Sequence, residues 1–190
     1  MSARDLGPRQ NHSGMTLIEA VIFIAVLAIG IAAILVLYNR VTEASVDPML
    51  RKQAVAIAAS LLEEIELQGF TYCDPDDANV YTATSTASCG QVENLGPEGE
   101  TRTGTPRFDN VNDYNGFSMA GAGMQSADGT PLPGLSAYAA SVTIAAIAAN
   151  ELGAAIPASE ALRITVTVSG PAGVNVSLQG YRVRYAPNAP

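Results

Sequence analysis

His12 and Lys52 are the only histidine and the only lysine in a chain of 190 residues. The usual acid–base toolkit is therefore nearly empty. His12 precedes a long apolar run and Lys52 lies just beyond it. Past residue 14 there is no histidine for a Ser-His-Asp triad, a Cys-His pair or a His-ligated zinc. A Ser-Lys mechanism fits poorly, because Lys52 sits so close to the apolar segment. The reading is a protein that is not an enzyme and has no catalytic residues. Three other groups could still do chemistry: Glu19, the pair Cys73 and Cys89, and the acidic stretch from Asp109 to Asn115.

Glu19 stands near the start of the run "HSGMTLIEAVIFIAVLAIGIAAILVLY", and no charged residue follows it from Ala20 to Tyr38. A carboxylate at the centre of a membrane-spanning helix costs about 2.5–3.5 kcal/mol by insertion scales, and less near an end. One reading is a side chain that reaches the headgroup layer and does nothing more. The other is a carboxylate waiting for a cation. Cleavage after Gly14 would free the amine of Met15 one helical turn away. In a stack of identical helices, one subunit's amine can meet the next subunit's carboxylate. A buried carboxylate is tolerated when paired and hydrogen-bonded.

Cys73 and Cys89 are spaced too widely for CxxC redox or zinc chemistry. They are either buried thiols or one disulfide. Their polar, turn-forming neighbours favour the disulfide, which would place this part of the chain in an oxidising compartment. Closing a loop of this size stabilises a fold by about 3 kcal/mol on chain-entropy grounds.

"RFDNVNDYNGF" offers Asp109, Asp113 and Asn115 as candidate calcium ligands. EF-hand spacing fails, since with Gly116 as the turn glycine Val111 takes the first ligand position and Ala122 the last. Asx turns explain the same composition without a metal. No metal or cofactor is assigned.

These groups need elements to hold them. The run after Gly14 is long enough to span a bilayer, which takes about 20 helical residues. A secretory signal would have a shorter apolar core followed by small residues, whereas Ser13 and Gly14 precede this run. Asp47-Pro48 is expected to interrupt and kink the helix. Beyond it, Ala54, Ile57, Ala58, Leu61 and Ile65 form one apolar stripe, with Gly69 as a stop. Residues 71–133 read as loops with one or two short strands, wrapped around a sheet. Residues 136–185 read as three or four antiparallel strands. Leu162, Ile164, Val166 and Val168 share one face of a strand; Val174, Val176 and Leu178, then Tyr181, Val183 and Tyr185, continue the pattern in the next. Gly180 between those two sets suggests a bulge or break. The fold class is α+β: a long N-terminal helix, its first half transmembrane and kinked near Pro48, packed on a small antiparallel sheet. The net charge of −8 and ten unclustered Lys/Arg argue against nucleic acid as a partner.

"G-M-T-L-I-E" followed by about twenty apolar residues resembles the N-terminus of type IV prepilins, densely over residues 13–38. The resemblance implies a leader, residues 1–14, removed by a prepilin peptidase that cuts after Gly14 and methylates the amine of Met15. It implies a filament-core helix over residues 15–39, an amphipathic continuation over 40–69 and a pilin head over 70–190. Glu19 would serve assembly. The implied partners are the peptidase, other pilin subunits and the pilus assembly machinery. The implied location is the inner membrane with the head in the periplasm, then the extracellular filament. The leader departs from the family pattern, with Asn11, His12 and Ser13 where a Lys or Arg usually precedes the cut. "LLEEIELQGFTYCDPDD" and "RFDNVNDYNGF" resemble more narrowly the MshD-type minor pilins of mannose-sensitive haemagglutinin pili, which implies roles in pilus biogenesis and adhesion. A type II secretion pseudopilin shares the cleavage motif. A single-pass anchored binding module or enzyme is the reading from another class.

Overall fold

The computed structural model of the chain describes Gly14 and residues 16–190, the side chains of residues 39–47 and of residue 122 excepted. Its first element, α1, runs from Leu17 to Glu66. The chain divides into two compact units between Ser45 and Val46.

In the first unit, Leu17–Tyr38 forms a helix long and apolar enough to cross a membrane. Its 22 residues span about 33 Å at 1.5 Å per residue, close to a bilayer's hydrocarbon thickness. Apart from Ala20, every side chain from Leu17 to Tyr38 is exposed. A helix apolar all round cannot be stable with that surface in water, so lipid or other helices must cover it.

The second unit builds its core from one face of the helix. Ala54, Ala58, Leu61 and Ile65 are buried at spacings of four, three and four, with Ile57 and Leu62 packed partly against them. The helix ends at Glu66, three residues before the expected stop at Gly69, and Gly69 instead pairs with Asn110 in a parallel bridge. Pro48 lies inside α1. It withholds one N–H from the helical ladder without ending the helix, so the expected interruption is not a boundary.

Four strands follow: β1, Ser118–Ala120; β2, Ala139–Ala146; β3, Ala161–Ser169; and β4, Asn175–Val183. They pair antiparallel in chain order, β1-β2-β3-β4. Alternation sets the buried face. Val142 and Ile144 of β2 and Leu162, Ile164, Val166 and Val168 of β3 all lie in the core. Burying each such side chain contributes about 1.5–3 kcal/mol relative to leaving it in water. The α+β architecture is thus the expected one, with β1 the short strand inside the loop-rich region.

Gly180 is neither a bulge nor a break. β4 keeps a regular register through it, with Ile164 opposite Gly180 and Arg163 opposite Tyr181. The glycine is there because the helix comes close: a Cβ at residue 180 would lie 2.0 Å from Glu66 Oε1 and 3.0 Å from Leu62 Cδ1. Without a bulge the faces do not exchange. Val176 therefore points inward, whereas Tyr181 stays on the outer side and bonds Glu151 Oε1 at 2.9 Å. The expected continuation of the apolar face through Tyr181, Val183 and Tyr185 is corrected accordingly, and Tyr185 is exposed.

Candidate functional site

At the start of α1, Thr16 acts as the cap. Its Oγ1 accepts from the backbone N–H of Glu19 at 3.3 Å, and its carbonyl accepts from Ala20 N at 3.1 Å. Glu19 is then the third residue of the helical turn, the position that a capping box gives to Glu. Its charge lies at the positive end of the helix dipole. The spacing Thr-x-x-Glu was readable in the sequence, and it adds a local reason for a carboxylate at that position. Glu19 and Gly14 are both exposed. His12 and Met15 lie outside the described residues.

In the head, Cys73 and Cys89 form a disulfide. Cys73, Val80 and Ala83 make a small second core, with Tyr72 and Cys89 packed against it. The C-terminal segment seals this core: Asn188 Nδ2 donates to the carbonyls of Val80 and Ala83 at 2.7 and 2.8 Å. The loop layer is tied to the helix by a pair the sequence reading missed. Arg102 donates through Nε and Nη2 to Glu64 at 2.7 and 2.6 Å, and through Nη1 to the Gln125 carbonyl at 3.0 Å. Tyr114 adds its hydroxyl to Glu64 Oε1 at 3.0 Å. The one available signal was a carboxylate at residue 64, wedged between the core positions Leu61 and Ile65.

Beside the disulfide, seven carboxylates gather from three stretches of loop, residues 74–76, 93–100 and 109–113. Asp74, Asp76 and Glu100 form one group; Asp74, Glu93 and Glu98 a second; Glu100, Asp109 and Asp113 a third. Within each group one carboxylate oxygen per residue lies within 4.8 Å of the others. Two like charges 4.8 Å apart repel by about 3 kcal/mol at an effective dielectric of 20. None of the three ion pairs among the described residues involves these seven. Some of the oxygens are engaged. Asp74 accepts from Asp76 N and Gln91 Nε2. Asp113 closes a capping box with Asn110, accepting from Asn110 N at 2.7 Å and Asp109 N at 3.0 Å. Glu98 accepts from Asn94, and its φ of 45° is left-handed backbone, which non-glycine residues seldom adopt. Glu93 is only 8 % exposed, yet its Oε1 has no hydrogen-bond partner, and neither does Glu100 Oε2.

The titration behaviour follows from that crowding. Burial, then the charges of Asp113, Glu98, Asp74 and Asp109, push the Glu93 carboxyl up to about 9. Burial and the neighbouring aspartates push Glu100 to about 8 and Asp109 to about 6. Burial raises Asp113, partly opposed by the Asn110 and Asp109 N–H groups. Of the three residues read as calcium candidates, Asp109 and Asp113 lie in this layer. Asn115 does not: its Oδ1 accepts from Ile144 N at 3.0 Å and anchors the edge of β2. Glu93, Glu98 and Glu100 went unnoticed, because nothing in their local spacing marks them.

Among known families, residues 9–35 match the prokaryotic N-terminal methylation motif. No curated protein and no solved structure matches the chain. The motif, which takes in most of the apolar helix Leu17–Tyr38, and the four-stranded head together support a type IV pilin-like protein, a pilin or pseudopilin subunit. The same motif implies processing by a prepilin peptidase and assembly with other pilins, and it fits membrane anchoring before assembly.

Proposed function

We propose that the protein is a minor pilin of a type IV pilus of the mannose-sensitive haemagglutinin kind, with a role in pilus biogenesis or adhesion. Assembly rather than turnover is its function. The observation that carries the reading is a methylation-type cleavage motif running directly into a helix whose apolar surface is exposed on all sides. Cleavage after Gly14 frees the amine of Met15. The helix is held in the inner membrane with the head in the periplasm, where the disulfide is stable. Leaving lipid is offset when the same apolar surface is covered by neighbouring helices in the filament. Glu19 pairs there with the amine of an adjacent subunit. The narrower assignment rests on the resemblance of the stretches around residues 61–77 and 107–117 to minor pilins of that kind.

The test is mass spectrometry of the protein from sheared filaments and from membranes. The expected species begins at methylated Met15 and occurs in both. A processed chain that never leaves the cell envelope would instead indicate a secretion pseudopilin. An uncut chain starting at Met1 would mean an ordinary single-pass anchor.

A further inference from the structure

We propose that the head binds calcium, with Asp74, Glu93 and Glu98 as its protein ligands. The geometry is that of a cation site. Each of the three offers an oxygen within 4.8 Å of the other two. Calcium–oxygen distances are about 2.3–2.6 Å, so one ion can touch oxygens that lie about 4.6–5.2 Å apart across it. Glu93 supplies the second, independent observation. It is 92 % buried, its Oε1 lacks any hydrogen-bond donor, and its carboxylate faces Asp74 and Glu98. A carboxylate this buried ionises only when a cation answers it, and among the described residues no Lys or Arg pairs with this one. A divalent cation is the partner that answers several carboxylates at once.

The donor set selects the metal. It is all oxygen, with no histidine beyond residue 14 and both cysteines committed to the disulfide. Hard cations prefer such ligands, and softer transition metals prefer nitrogen or sulfur. Magnesium demands near-ideal octahedral geometry at about 2.0–2.1 Å and gives up its waters reluctantly; calcium accepts irregular all-oxygen sets. Asp76, Glu100, Asp109 and Asp113 continue the layer through the shared Asp74 and Glu100, adding negative field around the site. The loops that bring these residues together are the ones pinned by the disulfide and by the Asn110 capping box. This site does not depend on the filament role of the N-terminal helix.

The experiment uses the full chain in a non-ionic detergent, stripped with a chelator. Calcium chloride or magnesium chloride is then titrated while thermal unfolding and isothermal heats are followed. Millimolar calcium should raise the unfolding temperature by several degrees. Its dissociation constant should lie in the range of about 0.1–1 mM typical of extracellular modules, and magnesium should bind at least tenfold more weakly. Glu93→Gln keeps the shape and removes the buried charge. It should fold at least as stably as the stripped wild type and lose the calcium-induced shift, with affinity reduced tenfold or more. Asp128→Asn, an exposed acid outside the layer, should retain the full shift. The proposal is overturned if wild type shows no calcium-dependent shift, if magnesium matches calcium, if Glu93→Gln responds like wild type, or if Asp128→Asn loses the response.

Discussion

Arg102→Met tests how the loop layer is held on the helix. Arg102 and Glu64 side chains are 6 % and 14 % exposed, so solvent screens their pairing little. The substitution removes two charge-assisted hydrogen bonds to Glu64 and one to the Gln125 carbonyl. It leaves the Glu64 carboxylate in a largely dry site with only the Tyr114 hydroxyl as donor. Removing one partner of a buried pair costs about 3–5 kcal/mol, most of it the uncompensated charge. For a domain of this size each kcal/mol lowers the midpoint by about 2–4 °C, so a fall of roughly 6–20 °C is expected. Chemical denaturation of the full chain in detergent, followed by near-UV dichroism of the head, gives the free energy directly. The double variant Glu64→Leu with Arg102→Met removes both charges and should be clearly more stable than Arg102→Met alone. A loss under about 1 kcal/mol for Arg102→Met, the range typical of an exposed pair, would refute the claim that this pair anchors the layer. So would a double variant no better than the single one.

Three other outcomes are expected. Glu19→Ala should leave membrane insertion intact and reduce recovery in sheared filaments, measured by immunoblot; recovery equal to wild type would discredit the pairing with a neighbour's amine. Cys73→Ser should cost about 3 kcal/mol, since the bond closes a separation of 16 residues, and denaturation under oxidising conditions would show wild type and variant superimposing if the bond contributed nothing. The chelator-stripped protein should lose stability as pH rises from 5 to 9. Glu93, Glu100 and Asp109 have folded values of about 9, 8 and 6, above ordinary values of 4.5, 4.5 and 3.8. The folded state therefore keeps protons that the unfolded chain releases. That stabilisation is full below the ordinary values and disappears as pH passes the raised ones. Asp77, Asp128 and Glu151 are held below their ordinary values of 3.8, 3.8 and 4.5, so the stability they add comes in mainly below this window. A melting temperature that is flat or rising from pH 5 to 9 would contradict the crowding described for the acidic layer.

Local periodicity carried most of the fold. The stripe Ala54, Ala58, Leu61 and Ile65 and the alternation Leu162, Ile164, Val166 and Val168 are legible because a helix and a strand repeat over a few residues, and burial follows the repeat. Gly180 shows where that reading fails: its reason is the Glu66 side chain of a helix more than a hundred residues earlier, and no strand pattern encodes that approach.

By itself, the sequence determined the processing motif, the membrane-length helix, the amphipathic stripe and the strand phases. Each is a property of neighbours along the chain, set by side-chain type and spacing. Only the tertiary structure decided that Glu64 meets Arg102, that Asn115 serves the sheet edge, and that Glu93 and Glu98 join Asp74 beneath the disulfide. Those meetings depend on the path of irregular loops, where no repeat relates sequence distance to distance in space.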